Sequence, residues 1–190
     1  MHAWRLCASK YADEILSGEG ARQHGGRWNS PGVPVIYAGE NLSLCALETL
    51  VHITHTIILN GDFKCIQLDI PDDLVHTITE QNLPANWYDK TPLEDTQKIG
   101  DKWIKFNTFL AMKVPSAVVL QENNIVINPL HPDFKEIKKV GTLQGFRFDP
   151  RVVKQAPTSP SQRAELVRIM KKAGTKGNFT TIGDKLKSDK

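Results

Sequence analysis

The chain has 190 residues, 40% hydrophobic and 24% charged, the balance of a soluble globular protein of one ordinary domain with length to spare. No apolar run reaches the roughly 18 residues that span a bilayer, and the N-terminus lacks a signal-peptide pattern. Three cysteines (Cys7, Cys45, Cys65) without C-x-x-C spacing argue against a disulfide framework or zinc site, so a cytoplasmic location is expected. The net charge of +3 is uneven: residues 151–190 hold ten Lys/Arg against three Asp/Glu, so a mildly acidic body carries a basic tail. Such a tail fits a solvated terminus, or a segment that touches nucleic acid or an acidic partner.

Along the chain, "HAWRLCA" reads as a first strand with Trp4 and Leu6 on one side and Arg5 on the other. A glycine-rich stretch follows, "ASKYADEILSGEGARQHGGRWNS", read as a short helix and loops. "VPVIYAG" is a compact, β-branched strand. "LSLCALETLVHIT" has helical spacing, with Asn41 or Ser43 available as cap. "FKCIQLDIP" alternates and ends at proline, so it reads as a strand. Thr91, Pro92 and Glu94 form a capping box with proline at the first helical position, a helix start. "VPSAVVLQ" and "NIVINP" read as strands joined at Glu122-Asn123-Asn124, with Ser116 at the start of the first. "HPDFKEIKKV" suggests a short helix and "QGFRFDP" a last strand. "APTSPSQ" resembles a linker before a basic helix, "SQRAELVRIMKKAG". The sum is an α+β body over residues 1–150 and a C-terminal extension over 151–190.

Two features of residues 25–52 stand out. With Leu44 set at 0° on a helical wheel, Leu47, Val51 and Leu50 fall at about 300°, 340° and 240°, and Glu48 at about 40°, beside the apolar stripe. A carboxylate there needs a partner or a polar cleft, since burying it alone costs several kcal/mol. It fits a salt bridge at the stripe's edge or a catalytic carboxylate fixed on a helix. In "GGRW", two glycines permit close backbone approach, and Arg27 supplies a planar fork for phosphate or carboxylate. Taken alone, Tyr37 reads as a core tyrosine with a satisfied hydroxyl and Ser116 as a strand-end residue. His52 and His55 lack a third ligand, and no H-E-x-x-H, P-loop, G-x-G-x-x-G, EF-hand or G-x-S-x-G pattern occurs.

The ordered set "WRL", "GGRWNSPGVPVIYAG", "ALETLVH", "VPSAVV", "NPLHP" and "FRFDPR" resembles the RES domain family, over roughly residues 2–150. The tail after Arg151 has no counterpart. The family takes its name from an arginine, a glutamate and a serine, which correspond to Arg27, Glu48 and Ser116. Tyr37 matches a motif tyrosine, and Arg5 matches a second arginine near the NAD+ site. The resemblance implies an ADP-ribosyltransferase-like split β-sheet core with short flanking helices. It also implies a type II toxin that cleaves the nicotinamide–ribose bond of NAD+ by hydrolysis or phosphorolysis. Its alternatives are a protein ADP-ribosyltransferase and, third, a non-catalytic binding module in a DNA-binding complex. NAD+ is then a substrate and no metal is needed. The implied partner is an Xre-type helix-turn-helix antitoxin, with a homodimer inside a larger complex, DNA reached only through the antitoxin, and no membrane. Glu48 would stabilise the oxocarbenium-like state. Arg27 and Arg5 would hold the pyrophosphate, and Tyr37 would pack at the nicotinamide or its ribose. Ser116 would either line that pocket or orient Glu48.

Overall fold

The structure is a computed structural model and describes residues 1–53, 61–89 and 93–152. The chain divides into two units, Met1–Pro150 and Arg151–Lys190. The architecture below is that of the first.

Seven strands occur among the described residues: β1 (His2–Ala8), β2 (Ile36–Gly39), β3 (Phe63–Asp69), β4 (Val75–Thr77), β5 (Ala111–Pro115), β6 (Asn123–Ile127) and β7 (Lys138–Phe146). They form one sheet in the order β4-β5-β6-β2-β1-β3-β7. Every pairing is antiparallel except the parallel β4–β5 edge. The helices are α1 (Glu19–His24), α2 (Leu42–Leu50) and α3 (Glu94–Phe106). Short 3-10 turns include Ser9–Glu14 and Pro132–Glu136. None of the described helices is long and apolar enough to cross a membrane.

The two faces of the sheet bury different sets of residues, because side chains alternate along each strand. Ala111, Ile125 and Ile127 join Ile36, Ile66 and Leu68 in an aliphatic cluster. Met112, Val114 and Val126 face the other way, into a cluster built on Trp28, Trp87 and Trp103. Tyr37 packs against this second cluster. Asn124 lies two residues before Val126 on β6, so the site residues of β2 and β6 share the tryptophan face.

α3 covers that face through Thr96, Gly100 and Trp103, its three buried positions at helical spacing. It ends on Asn107, in the left-handed conformation (φ 52°), whose side-chain oxygen accepts from Asn128 Nδ2 at 2.8 Å. At the other end, Thr91 and Pro92 of the expected capping box lie outside the described residues, as do His55 and the expected C-terminal helix.

α2 is capped by Asn41, whose Oδ1 accepts from the Leu44 amide at 2.7 Å. Its Nδ2 donates to Glu122 at 3.1 Å, tying the helix start to the approach to β6. Asn41→Ala is expected to destabilise the fold by about 1 kcal/mol, the usual worth of such a cap, read by denaturant unfolding. The apolar stripe read from the wheel is displaced: Leu44 and Cys45 are buried, while Leu47 and Val51 are 41% and 59% exposed. The inward face centres between Leu44 and Cys45, and that is where Glu48 falls.

Three further boundaries differ from the sequence reading. The strand before Ser116 runs Ala111–Pro115, not into "SAVVL". Ser116 Oγ accepts from the amides of Val118 and Val119, both at 3.0 Å, which folds those residues into a turn. Asn123 and Asn124 begin β6 rather than forming its turn. The expected helix at 131–140 is only a 3-10 turn, and its "KKV" opens β7. β4, three residues long, carried no readable pattern.

Candidate active site

Glu48 projects from α2 toward the ends of β5 and β6. Its Oε1 accepts from Ser116 Oγ at 2.7 Å and from Asn124 Nδ2 at 2.5 Å. Among the described residues, Oε2 takes no hydrogen bond. Ser116 is fully buried, and its hydroxyl is saturated: two backbone amides donate to it and its one proton goes to Glu48.

Arg27 stands on the loop after α1. Gly25 adopts φ 68°, and Gly26 pairs with Asn29 in a tight bridge. A Cβ at Gly26 would lie 2.5 Å from the Tyr37 hydroxyl, so the second glycine lets the loop pack onto Tyr37. The positive φ at Gly25 and the close approach at Gly26 together require the glycine pair before Arg27. The arginine's Nη1 donates to the carbonyls of Trp87 and of Asp89 (3.0 Å), and Nη2 to the Tyr88 carbonyl at 3.4 Å. Three successive carbonyls thus hold one edge of the guanidinium, and Nε is without a partner among the described residues. Burial lowers the Arg27 pKa from its ordinary value, and the nearby Glu48 carboxylate, then Tyr37 and Asp89, oppose that. Arg27 and Glu48 therefore belong to one electrostatic site.

Tyr37 is committed. Its hydroxyl accepts from the Trp28 amide at 2.9 Å and donates to Asn29 Oδ1 at 2.8 Å. Burial pushes the phenol far above its usual range, with the Trp28 amide and Arg27 only partly opposing. A hydroxyl so placed is no proton donor or acceptor for catalysis near neutral pH. Arg5 is also partly structural: Nη1 donates to the Tyr37 carbonyl at 2.8 Å and Nε to the Ile15 carbonyl at 3.4 Å. Burial lowers its pKa, with Cys7 and Cys45 acting in the other sense.

The five residues read from the sequence thus fall into two linked groups. Glu48 and Ser116 are joined directly, as are Arg5 and Tyr37 through a backbone carbonyl. Arg27 links them: it lies in the field of the Glu48 carboxylate, and its two loop neighbours, Gly26 and Trp28, pack on the neutral Tyr37 hydroxyl. Two site residues escaped the sequence reading. Asn29, fully buried, spends its amide on the carbonyls of Ala21 and Val33 (2.9 and 2.8 Å) and its oxygen on Tyr37. Asn124 holds Glu48. The signal for Asn29 was the "NSPG" turn, and for Asn124 a polar residue two before Val126 on one face of an apolar strand.

Among the described residues, no group of three or more His, Cys, Asp or Glu could hold a metal ion. A cavity of about 440 Å³ lined by Met1, Glu40, Asp72, Thr77 and Lys113, among others, includes none of the five residues. Its charges are paired internally: Lys113 with Glu40 at 2.5 Å and the Met1 amine with Asp72 at 2.8 Å.

Comparison with known proteins adds a family to this geometry. The model of the RES domain matches residues 2–149. "Toxin Res" of Photorhabdus laumondii is 38% identical over 155 residues, covering 81% of this chain and 98% of that protein. The "Prs ADP-ribosylating toxin" of Sphingobium sp. is 33% identical over 158 residues, 80% of this chain and 97% of its own. The "NAD(+) phosphorylase MbcT" of Mycobacterium tuberculosis is 30% identical over 96 residues, 47% of this chain and 50% of its own. The crystal structure of the M. tuberculosis MbcT–MbcA toxin–antitoxin complex shares the fold, with a TM-score of 0.62 at 20% identity, covering 80% of this chain and 85% of that one.

Proposed function

Because the chain belongs to the RES domain family, we propose that it is the toxin of a toxin–antitoxin pair and breaks the nicotinamide–ribose bond of NAD+. The observation that carries this reading is the Glu48 carboxylate, held on one oxygen by Ser116 and Asn124 and lying within the field of Arg27.

Cleavage of an N-glycosidic bond places positive charge on the ribose as the bond lengthens. A fixed carboxylate beside that ring stabilises charge that appears only in the transition state, so it raises the rate. Glu48 takes this role through Oε2. Nicotinamide departs from a cationic precursor as a neutral molecule, so no general acid has to protonate it. The committed hydroxyl of Tyr37 is compatible with that chemistry. Ser116, with its proton on Glu48, orients the carboxylate. Arg27, held from behind by three carbonyls, offers its Nε edge to the pyrophosphate. Arg5 supports it from β1, and Tyr37 shapes the pocket wall on the nicotinamide side.

Arg27→Lys is expected to weaken NAD+ binding about tenfold, because the three donors of an ammonium cannot both hold the three carbonyls and fork onto phosphate. An unchanged Kd by calorimetry would count against a pyrophosphate role.

The names of the relatives support two acceptors. Phosphate or water capture of the ribosyl cation consumes NAD+ outright, in line with the phosphorylase MbcT. Transfer to one cellular protein is the second reading, favoured by the likeness to an ADP-ribosylating toxin. The natural inhibitor under either is an antitoxin of Xre helix-turn-helix type, in a cytoplasmic complex that contains a toxin dimer and reaches DNA through the antitoxin alone. The test is in cells. Induction of the chain is expected to stop growth and collapse the NAD+ pool, and the Glu48→Gln form to do neither. Growth arrest with NAD+ intact would instead favour a specific protein acceptor.

A further inference from the structure

We propose that Asn124 is a positioning residue that, with Ser116, clamps one oxygen of Glu48 and thereby assigns the other to the ribose. This rests on the reading of Glu48 given above. The two donors reach Oε1 from separate segments, Ser116 from the turn after β5 and Asn124 from β6. A glutamate has three side-chain torsions, and a single hydrogen bond leaves the carboxylate free to swing. Two converging bonds fill the acceptor capacity of Oε1 and fix the plane of the group.

The donors are themselves immobilised. Asn124 is paired on both sides, opposite Gly39 of β2 and Val114 of β5. Its neighbour Asn123 donates twice to Glu40, from the backbone at 3.2 Å and the side chain at 2.9 Å, and Glu40 is anchored by Lys113. Asn41, next to Glu40, caps the helix that carries Glu48 and also holds Glu122. Helix start and strand start are thus pinned to each other on either side of the carboxylate. A ribose hydroxyl approaching Glu48 finds only Oε2 free of protein donors among the described residues.

The test compares Asn124→Ala and Asn124→Asp in NAD+ turnover between about pH 5 and 9. In Asn124→Ala, kcat is expected to fall about 10- to 100-fold at every pH, with KM within about threefold of wild type, as for a misplaced reacting group. In Asn124→Asp, two carboxyls face each other and one proton is shared between them. At low pH the new carboxyl, protonated, donates to Oε1 as the amide did. As pH rises that proton is lost and the pair repels. Asn124→Asp is therefore expected to approach wild-type kcat at the acid end and fall below it as pH rises.

The other charged groups around this pair, His52 one turn beyond Glu48 included, are the same in wild type and in both variants, so each profile is read against that of wild type. Arg27 and Arg5 remain cationic. The Cys45 thiol, on the same helix face, is pushed up to about 12 by burial and stays neutral. Burial acts to raise Glu40, but hydrogen bonds from Lys113 and Asn123 outweigh it and leave it below the ordinary carboxylate range. Glu122 spends one oxygen on Asn41.

Wild-type kcat in Asn124→Ala, or a pH profile of Asn124→Asp parallel to that of wild type, would overturn the clamp. Should the wild-type chain turn over no NAD+, the reaction assignment fails, and the clamp is then read without activity. One side-chain amide proton of Asn124 is expected far downfield and slow to exchange by NMR, moving on Glu48→Ala. Both protons at ordinary positions would overturn the proposal.

Discussion

Glu48→Gln is expected to lower kcat for NAD+ cleavage by about 10³-fold while leaving the fold and the Kd for NAD+ nearly unchanged. The geometry makes this substitution unusually clean. Oε1 only accepts hydrogen bonds, from Ser116 at 2.7 Å and Asn124 at 2.5 Å. A glutamine oxygen can accept both, so the side chain stays in place while its charge disappears. What is lost is the negative charge opposite the ribosyl cation, an interaction made only as the bond breaks. Single-turnover kinetics with enzyme in excess over NAD+, taken to saturation, separates this from a binding defect. A variant that keeps more than about a tenth of wild-type kcat would remove the carboxylate from its assigned role.

Gly100→Ala carries the largest expected effect on the fold. A Cβ there would sit 1.8 Å from the Trp28 carbonyl oxygen and 2.7 Å from its carbon. Neither side can easily yield. The Trp28 side chain is buried against Trp87, at 6.5 Å between ring centroids, and its amide is bonded to Tyr37. α3 also grips this loop through Gln97, which donates to the Gly26 carbonyl at 2.9 Å, and Asp101, which accepts from the Ser30 amide at 2.9 Å. The methyl group must push the helix off the loop, at a cost of about 3 kcal/mol or more, at the upper end of overpacking. Because Arg27 adjoins Trp28, NAD+ binding should weaken with stability. Gly20→Ala in α1 is the control. Nothing lies within 4 Å of its added carbon, so that helix should gain about 0.5–1 kcal/mol. Thermal unfolding of the two variants should move in opposite directions. An unchanged midpoint in Gly100→Ala would show that α3 and the arginine loop are not packed this closely.

The parts of the molecule legible in sequence are those set by local pattern. β1 and β3 occupy the segments that alternation indicated, and Asn41 caps α2 as its position before the helix suggested. Glu48 stood out because a charge fell beside an apolar stripe, although the stripe itself was misplaced. Leu47 and Val51 remain exposed, and only the burial of Leu44 and Cys45 shows which side of α2 faces in. Ser116 was readable as a residue but not as a turn. The apolar "AVVL" after it looks like a strand until its hydroxyl gathers the amides of Val118 and Val119. Asn29 and Asn124 were not legible, since each matters through a tertiary contact. Asn124 meets a residue 76 positions away in the chain, and asparagines beside a turn normally signal only the turn. The commitment of Tyr37 and Arg5 to internal hydrogen bonds likewise belongs to packing. The family resemblance could nominate them for the site but could not divide substrate contact from support.

If this chain breaks the nicotinamide–ribose bond of NAD+, nicotinamide release reports it without intermediaries. Purified, folded chain freed of any antitoxin is incubated with NAD+, with and without phosphate, and the products are followed by mass spectrometry beside Glu48→Gln. Nicotinamide is expected from the wild type and almost none from the variant. The partner product then names the acceptor: ADP-ribose for water, or its phosphate adduct for phosphate. Intact NAD+ under both conditions, with no ADP-ribose found on cellular protein when lysate is added, would rule out cleavage of that bond by this chain.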